Sequence, residues 1–147
     1  MKIVITNDHT SLELKNAIMA HLKEKNFKVT DLGSQGEKAA DYPEYALSAA
    51  KGIASGEYDL GIFLCGTGVG MCIAANKVRG IRAVVCSEPY TARLSREHNN
   101  AQILCIGARV VGSELAKTIV DAFLEAKFEG GRHQTRVEMF MAFEGRE

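Results

Sequence analysis

The chain contains 147 residues, of which 46% are hydrophobic, and its 18 basic side chains balance its 18 acidic ones. This length supports one domain with its own core, and the balanced charge without a basic cluster argues against nucleic acid and anionic membranes as partners. No apolar run approaches the length that spans a bilayer, and residues 1–7 resemble a strand more than a secretion signal, so we expect a cytoplasmic protein.

Short apolar segments alternate with amphipathic ones along the chain, which is typical of a parallel sheet covered by helices on both faces. The predicted strands are 2–6, 28–32, 60–64, 82–86 and 103–106, all expected to be buried on both faces. The predicted helices between them are 12–24, 45–53, 71–77, 92–98 and 115–124, with Pro43 and Pro89 at helix starts. We therefore expect one α/β domain over residues 1–147, a three-layer αβα sandwich around a five-stranded, Rossmann-like parallel sheet.

A glycine-rich turn, Cys65-Gly66-Thr67-Gly68-Val69-Gly70, connects the third predicted strand to a helix. Glycines at alternate positions let the backbone approach a ligand closely, and the free amides at a helix start attract a negatively charged oxygen. The same amides favour a thiolate, so Cys65 is a candidate nucleophile or base. Taken alone, the pattern is equally consistent with a structural turn that carries a half-buried cysteine.

The other three cysteines, Cys72, Cys86 and Cys105, carry no comparable motif. The spacing of the cysteines does not fit a zinc site, so reduced thiols are expected and no metal site is predicted. Cys86 and Cys105 end apolar strands, where a cysteine usually packs as a small hydrophobic residue.

Ionisable side chains gather where the predicted strands end, and parallel sheets bind ligands beyond the carboxyl ends of their strands. Asp8 and His9 follow the first strand, the Cys65 turn follows the third, and Arg109 follows the fifth. We therefore place the candidate site at this edge of the sheet. His21 lies within a predicted helix without any such motif and is predicted to be a surface residue.

The composition changes after residue 125, where apolar side chains continue without a further strand to cover. A helix that begins near Arg132 would place Arg132 and Arg136 on one face beside His133, which suits a phosphate but also fits a solvated basic face. Its apolar residues, which include Met139 and Met141, are predicted to pack against a second copy of the chain. Residues 128–147 are thus expected in the interface of a homodimer.

Several motifs, taken in chain order, resemble those of the type B ribose-5-phosphate isomerases. This family includes galactose-6-phosphate isomerase subunits and an activity toward allose 6-phosphate. The resemblance extends from the first strand to the tail and rests on these segments: Asp8-His9, Asp41-Tyr42-Pro43, Cys65 to Gly70, Ala74-Ala75-Asn76-Lys77, Gly80-Ile81-Arg82-Ala83, Arg96-Glu97-His98-Asn99-Asn100 and Gly130-Gly131-Arg132-His133. It implies a sugar-phosphate isomerase of the pentose phosphate pathway or of rare-sugar catabolism. Such an enzyme needs neither a metal nor an organic cofactor, and its active site is shared between subunits of a dimer or tetramer.

For this chain, the resemblance implies the interconversion of D-ribose 5-phosphate and D-ribulose 5-phosphate. Cys65 would remove the proton from C2 of the opened sugar with assistance from Thr67, and His98 would open the sugar ring. Asp8 would orient this machinery or a sugar hydroxyl. The resemblance assigns the other substrate contacts by class: the phosphate to His9, Arg109, Arg132 and Arg136 with His133 nearby, the sugar hydroxyls to Tyr42 and Asn99, and the enediolate to the turn that contains Gly66, Gly68 and Gly70.

Alternatives to this reaction differ in the features that they require. Thr6 and Ser11 stand where family members often have glycine, which leaves open a six-carbon substrate such as allose 6-phosphate or galactose 6-phosphate. A non-catalytic sugar-phosphate sensor would need the arginines but not Cys65, Thr67 and His98. A nucleotide-binding domain is disfavoured, because the turn lacks the dinucleotide spacing and no lysine followed by Ser or Thr completes a P-loop.

Overall fold

A computed structural model of the protein describes residues 1–37 and 41–145. Its strands are β1 (Lys2–Asn7), β2 (Lys28–Asp31), β3 (Leu60–Cys65), β4 (Ala83–Val85) and β5 (Ile103–Gly107). They form one parallel sheet in the order β2-β1-β3-β5-β4. Because β1 pairs with β2 on one side and with β3 on the other, the connections diverge between β1 and β3, where sheets of this kind bind their ligands.

Helices cover both faces of this sheet. The described helices are α1 (Leu12–Glu24), α2 (Tyr42–Ala54), α3 (Val69–Ala75), α4 (Pro89–Asn99), α5 (Ser113–Glu125) and α6 (Arg132–Phe143). Apolar side chains of α1 and α5 pack on one face of the sheet, and those of α2 and α3 pack on the other. The arrangement confirms the predicted three-layer α/β sandwich.

The sequence pattern explains where these helices form. On α1, Leu14, Ile18 and Leu22 are spaced four residues apart and form its buried face. Pro43 and Pro89 occupy the first turns of α2 and α4, as predicted, because a first-turn residue needs no amide donor. Among the described residues, none of the helices combines the length and hydrophobicity that crossing a bilayer requires.

The two edge strands differ from the prediction of full burial. The central strands β1, β3 and β5 are buried along nearly their whole length. By contrast, β2 and β4 are shorter than predicted and partly exposed. The prediction was wrong there because an edge strand pairs on one side only and lies at the margin of the helical layers.

The isolated histidine and the cysteines show how side chains pack away from the site. His21 is not the predicted surface residue, because its Nε2 lies 2.8 Å from Oδ1 of Asp121 and its side chain is only 17% exposed. This contact joins α1 to α5. Cys86 and Cys105 are buried, as predicted, and all the cysteines are free.

Lys15 is a fully buried lysine that fastens the segment after β2 to α1. Its Nζ lies 2.9 Å from Oδ2 of Asp31 and donates a 2.7 Å hydrogen bond to the carbonyl oxygen of Ser34. Burial works to raise the pKa of Asp31, but hydrogen bonds from Gln35, Gly33 and Lys15 outweigh it and hold that pKa below its ordinary value.

We expect Lys15→Met to lower the free energy of unfolding by about 2 kcal/mol at pH 7, because the Asp31 carboxylate and the Ser34 carbonyl lose their partner. Because the native state lowers the pKa of Asp31, its carboxylate stabilises the fold above the unfolded pKa of about 3.9. This stabilisation is lost as the pH falls from that value through the lower native pKa. Urea denaturation at pH 7 and pH 3 measures both effects. Lys23→Met, an exposed change on the same helix, is the control, and a pH-independent difference would contradict the ion pair.

Candidate active site

The glycine-rich turn places the thiol of Cys65 at the carboxyl end of β3. The backbone of Gly68 has φ +80°, a conformation that side chains rarely adopt, and its N–H donates a 3.1 Å hydrogen bond to Cys65 Sγ. The Val69 N–H donates to Oγ1 of Thr67 at 3.2 Å, so the threonine hydroxyl caps the start of α3. An amide that points at the sulfur stabilises negative charge on it, as a thiolate base requires.

The turn opens onto a cavity of about 440 Å³ at the sheet edge. Its lining comes from the ends of β1, β3 and β5 and from the starts of α2 and α3: Asp8, Thr10, Tyr42, Cys65, Gly66, Thr67, Val69, Gly70, Ile73 and Arg109. Most of these residues were predicted as site residues from the sequence. The cavity therefore joins the thiol, one carboxylate, one phenol and one guanidinium in a single concave site.

Asp8 is held rigidly beside this cavity. Its side chain is buried, and Oδ1 accepts hydrogen bonds from the Thr10 N–H at 2.9 Å and from the Thr10 hydroxyl at 2.6 Å. The Ser11 hydroxyl donates to the same oxygen at 3.3 Å, so this departure from the family pattern supports Asp8. Sequence reasoning missed Thr10, although an aspartate two residues before a threonine is a recognisable capping signal.

Glycine is required at position 70 by the approach of Tyr42. A Cβ atom at Gly70 would lie 2.7 Å from Cζ and 3.0 Å from the hydroxyl oxygen of the Tyr42 ring. At Gly66 the contact is looser, because a Cβ there would lie 3.4 Å from Nη1 of Arg109, an ordinary van der Waals distance. Gly70 thus lets the Tyr42 ring reach the cavity beside the thiol.

We expect Gly70→Ala to displace the Tyr42 ring and to raise KM for the substrate about tenfold, without lowering thermal stability, since alanine suits a helix. Steady-state kinetics and thermal unfolding measure the two effects. The matched control is Gly112→Ala, because a Cβ at Gly112 meets no atom within 4 Å. Equal KM values for the two variants would contradict a substrate contact by Tyr42.

A second group of predicted residues gathers around two stacked histidines. The rings of His98 and His133 are parallel within 7°, with centroids 4.1 Å apart. Oε2 of Glu129 lies 3.3 Å from Nε2 of His133 and 3.9 Å from Nε2 of His98. Burial, and then the charges of His98 and Arg132, hold the pKa of His133 below its ordinary value, while Glu129 acts in the opposite direction. His133 is therefore neutral at pH 7.

The same three side chains offer a metal ion ligand atoms that lie within 4.8 Å of one another. Parallel rings, however, direct the lone pairs of their nitrogen atoms side by side and not toward one point. A shared metal would require one ring to rotate out of the stack.

The structure of one chain thus divides the predicted site into two groups. Of the described residues, those that line the cavity do not include His98, Asn99, Arg132, His133 or Arg136. Arg132 and Arg136 are exposed on α6, and Asn99 is exposed at the end of α4. His9 is exposed beside Thr10 and belongs to neither group, while Gly68 shapes the turn from beneath.

Comparison with known proteins identifies the family of this chain. The family model for Ribose/Galactose Isomerase matches residues 3–140. The chain belongs to this family. Ribose-5-phosphate isomerase B of Escherichia coli is 57% identical over 145 residues, which cover 99% of this chain and 97% of that protein.

Two further members of the Ribose/Galactose Isomerase family bear on the fold and the substrate. Ribose-5-phosphate isomerase B of Mycoplasma genitalium, solved with bound ribulose-5-phosphate, matches with a TM-score of 0.93 and 45% identity over 99% of this chain and 97% of that chain. The D-erythrulose-4-phosphate isomerase of Pectobacterium atrosepticum is 46% identical and covers 100% of this chain and 97% of its own length. The fold is common to the family, whereas the sugar named for its members varies.

Proposed function

We propose that this protein is an aldose-ketose isomerase that interconverts D-ribose 5-phosphate and D-ribulose 5-phosphate. The observation that carries the proposal is the thiol of Cys65, which accepts a hydrogen bond from the Gly68 amide and lines a cavity together with Asp8, Tyr42 and Arg109. The 57% identical relative bears the name of this activity. The differences from the family pattern near Asp8, at Thr6 and Ser11, lie outside the turn that holds the proposed base.

The proposed reaction has two stages. In the first, the substrate ring opens: His98 gives a proton to the ring oxygen, the bond from that oxygen to C1 breaks, and the C1 hydroxyl releases its proton to solvent. In the second, Cys65 takes the proton from C2 and the electrons form an enediolate. The C2 hydroxyl then passes its proton to O1, and Cys65 returns a proton to C1 as the C2 carbonyl of the ketose forms. Thr67 assists proton movement, Asp8 orients the sugar, and the turn amides stabilise the enediolate oxygen.

Binding of the substrate uses both groups of residues. We assign the phosphate to His9, Arg109, Arg132 and Arg136 with His133 nearby, and the sugar hydroxyls to Tyr42 and Asn99. Arg132 and Arg136 do not line the cavity that Arg109 lines, which supports a site completed by a second subunit.

The proposed assembly is a homodimer, with a tetramer as the alternative, whose interface contains residues 128–147. Met139 is 70% exposed and Phe140 is 45% exposed on α6, and Val69 and Ile73 are exposed at the rim of the cavity. A dimer that covers these apolar side chains would bring α6 of one subunit to the cavity of the other. A cytoplasmic location belongs to the same proposal, and the free thiols support it. The proposed chemistry uses neither a metal nor an organic cofactor.

The experiment is a comparison of four substrates with a metal chelator present: ribose 5-phosphate, allose 6-phosphate, galactose 6-phosphate and D-erythrulose 4-phosphate. We expect ribose 5-phosphate to have the highest kcat/KM, by about tenfold or more, since the sugar lengths differ by whole carbon units. If another sugar phosphate has the highest kcat/KM, the proposed substrate is wrong and the proposed type of reaction stands. Turnover of none of them, with binding retained, would indicate a sugar-phosphate sensor and overturn the proposal.

A further inference from the structure

Glu129 lies beside the stacked rings of His98 and His133, and it is the one residue of these three to which the sequence assigned no role. We propose that Glu129 is a positioning residue for His98: its carboxylate holds the imidazole in the place from which it opens the sugar ring. This inference rests on the proposed function, because it concerns the ring-opening stage of the same reaction.

The backbone fixes Glu129 beside His98 independently of the side chains. The Glu129 N–H donates a 3.0 Å hydrogen bond to the carbonyl oxygen of Glu97, the residue that precedes His98 on α4. Gly130 and Gly131 come next, with backbone φ angles of +69° and +55°. These two glycines with positive φ lead the chain directly into α6. The connection thus reaches His133 within one turn of helix and holds the carboxylate beside the Nε2 atoms of both rings.

The contact between Glu129 and the histidines acts through charge. Although Oε2 of Glu129 is 3.3 Å from Nε2 of His133, this buried nitrogen makes no hydrogen bond of acceptable geometry. His133 is buried and neutral, whereas His98 is 33% exposed and can exchange a proton with the substrate. The carboxylate therefore lies close enough to hold the His98 ring, and the ring of His133 supports His98 from below.

The surrounding charges make this carboxylate important. The charged and titratable groups that act on His133 are His98 from α4, Arg132 and Arg136 from α6, and Glu129 from the connection between α5 and α6. Glu129 is the one anion among them. Without it, no negative charge would remain among the groups that act on His133.

Open-chain and closed-ring substrates separate the role of Glu129 from a general structural one. Ribose 5-phosphate must be opened before the proton transfer, but ribulose 5-phosphate carries its phosphate on O5 and cannot close a five-membered ring. Exchange of its C1 hydrogen for deuterium in D₂O therefore reports the chemistry at Cys65 alone. Mutation of a residue that acts through His98 should therefore slow the turnover of ribose 5-phosphate and leave the C1 exchange of ribulose 5-phosphate unchanged.

The test compares Glu129→Gln, which keeps the shape and removes the charge, with Glu125→Gln, whose carboxylate is 75% exposed near Lys25. We expect Glu129→Gln to lower kcat for ribose 5-phosphate about fivefold, since a half-exposed carboxylate is partly screened, and to leave C1 exchange within about twofold. The pKa of His133, followed by NMR, should fall further in this variant, because Glu129 works to raise it. Glu125→Gln should change none of these values.

Two results would overturn the role of Glu129. Equal loss of turnover and exchange would indicate a structural defect, and no loss of turnover would show that His98 does not need the carboxylate. Wild-type protein that catalyses neither reaction would instead overturn the proposed function, so the two failures are distinguishable.

Discussion

Cys65→Ala is expected to lower kcat for ribose 5-phosphate by about 10³-fold, because the variant loses the base that removes the C2 proton. The same change should abolish the exchange of the C1 hydrogen of ribulose 5-phosphate, since both reactions pass through one enediolate. Substrate binding should persist, because the proposed phosphate and hydroxyl contacts come from other side chains. Coupled kinetics, deuterium exchange followed by NMR, and thermal shifts with ribulose 5-phosphate measure the three quantities.

Cys72→Ala is the matched control for this experiment. Cys72 lies on α3, close to the turn, and a hydrogen bond with Cys105 lowers the pKa of its thiol against the effect of burial. It does not line the cavity. If the base must line the cavity, Cys72→Ala retains the activity of the wild type. A Cys65→Ala variant as active as wild type would show that another group is the base.

His98→Asn is expected to lower kcat for ribose 5-phosphate about 10²-fold and to leave the C1 exchange of ribulose 5-phosphate close to the wild-type rate. The reason is that the variant loses the acid for ring opening, a stage that an open-chain sugar does not need. Both rates are measured on the same protein preparation, so a loss of folded protein would lower them together.

His21→Asn serves as the histidine control, because His21 contacts Asp121 between α1 and α5 and lies outside the proposed site. It should lower stability without changing either rate per folded molecule. A His98→Asn variant that loses exchange and turnover equally would contradict a role confined to ring opening.

The sheet could be predicted well from the sequence, and its edges less well. The central strands are short apolar runs, and their burial follows from that composition. The exposure of β2 and β4 depends on strand order, which no local pattern encodes. Likewise, the contact of His21 with Asp121 joins two helices that are distant in sequence, so periodicity alone indicated a surface position.

The candidate site likewise could be predicted where its residues are adjacent in sequence, and less well where they meet only through the fold. The turn from Cys65 to Gly70 is one continuous motif, and its sequence was sufficient to predict the thiol with an amide beside it. Thr10 and Glu129 were missed because each acts through a contact that a single residue type does not reveal. His98 does not line the cavity in one chain, and the shared site that we propose depends on how two chains assemble.

The most direct test of this account is to mix Cys65→Ala and His98→Asn subunits by refolding them together. If each site takes Cys65 from one subunit and His98 from the other, a mixed dimer contains one site with both residues intact. Random pairing then restores about a quarter of the wild-type turnover of ribose 5-phosphate, although neither variant is active alone. Recovery of that size is the result that we predict, and no recovery in verified mixed dimers would contradict an active site shared between subunits.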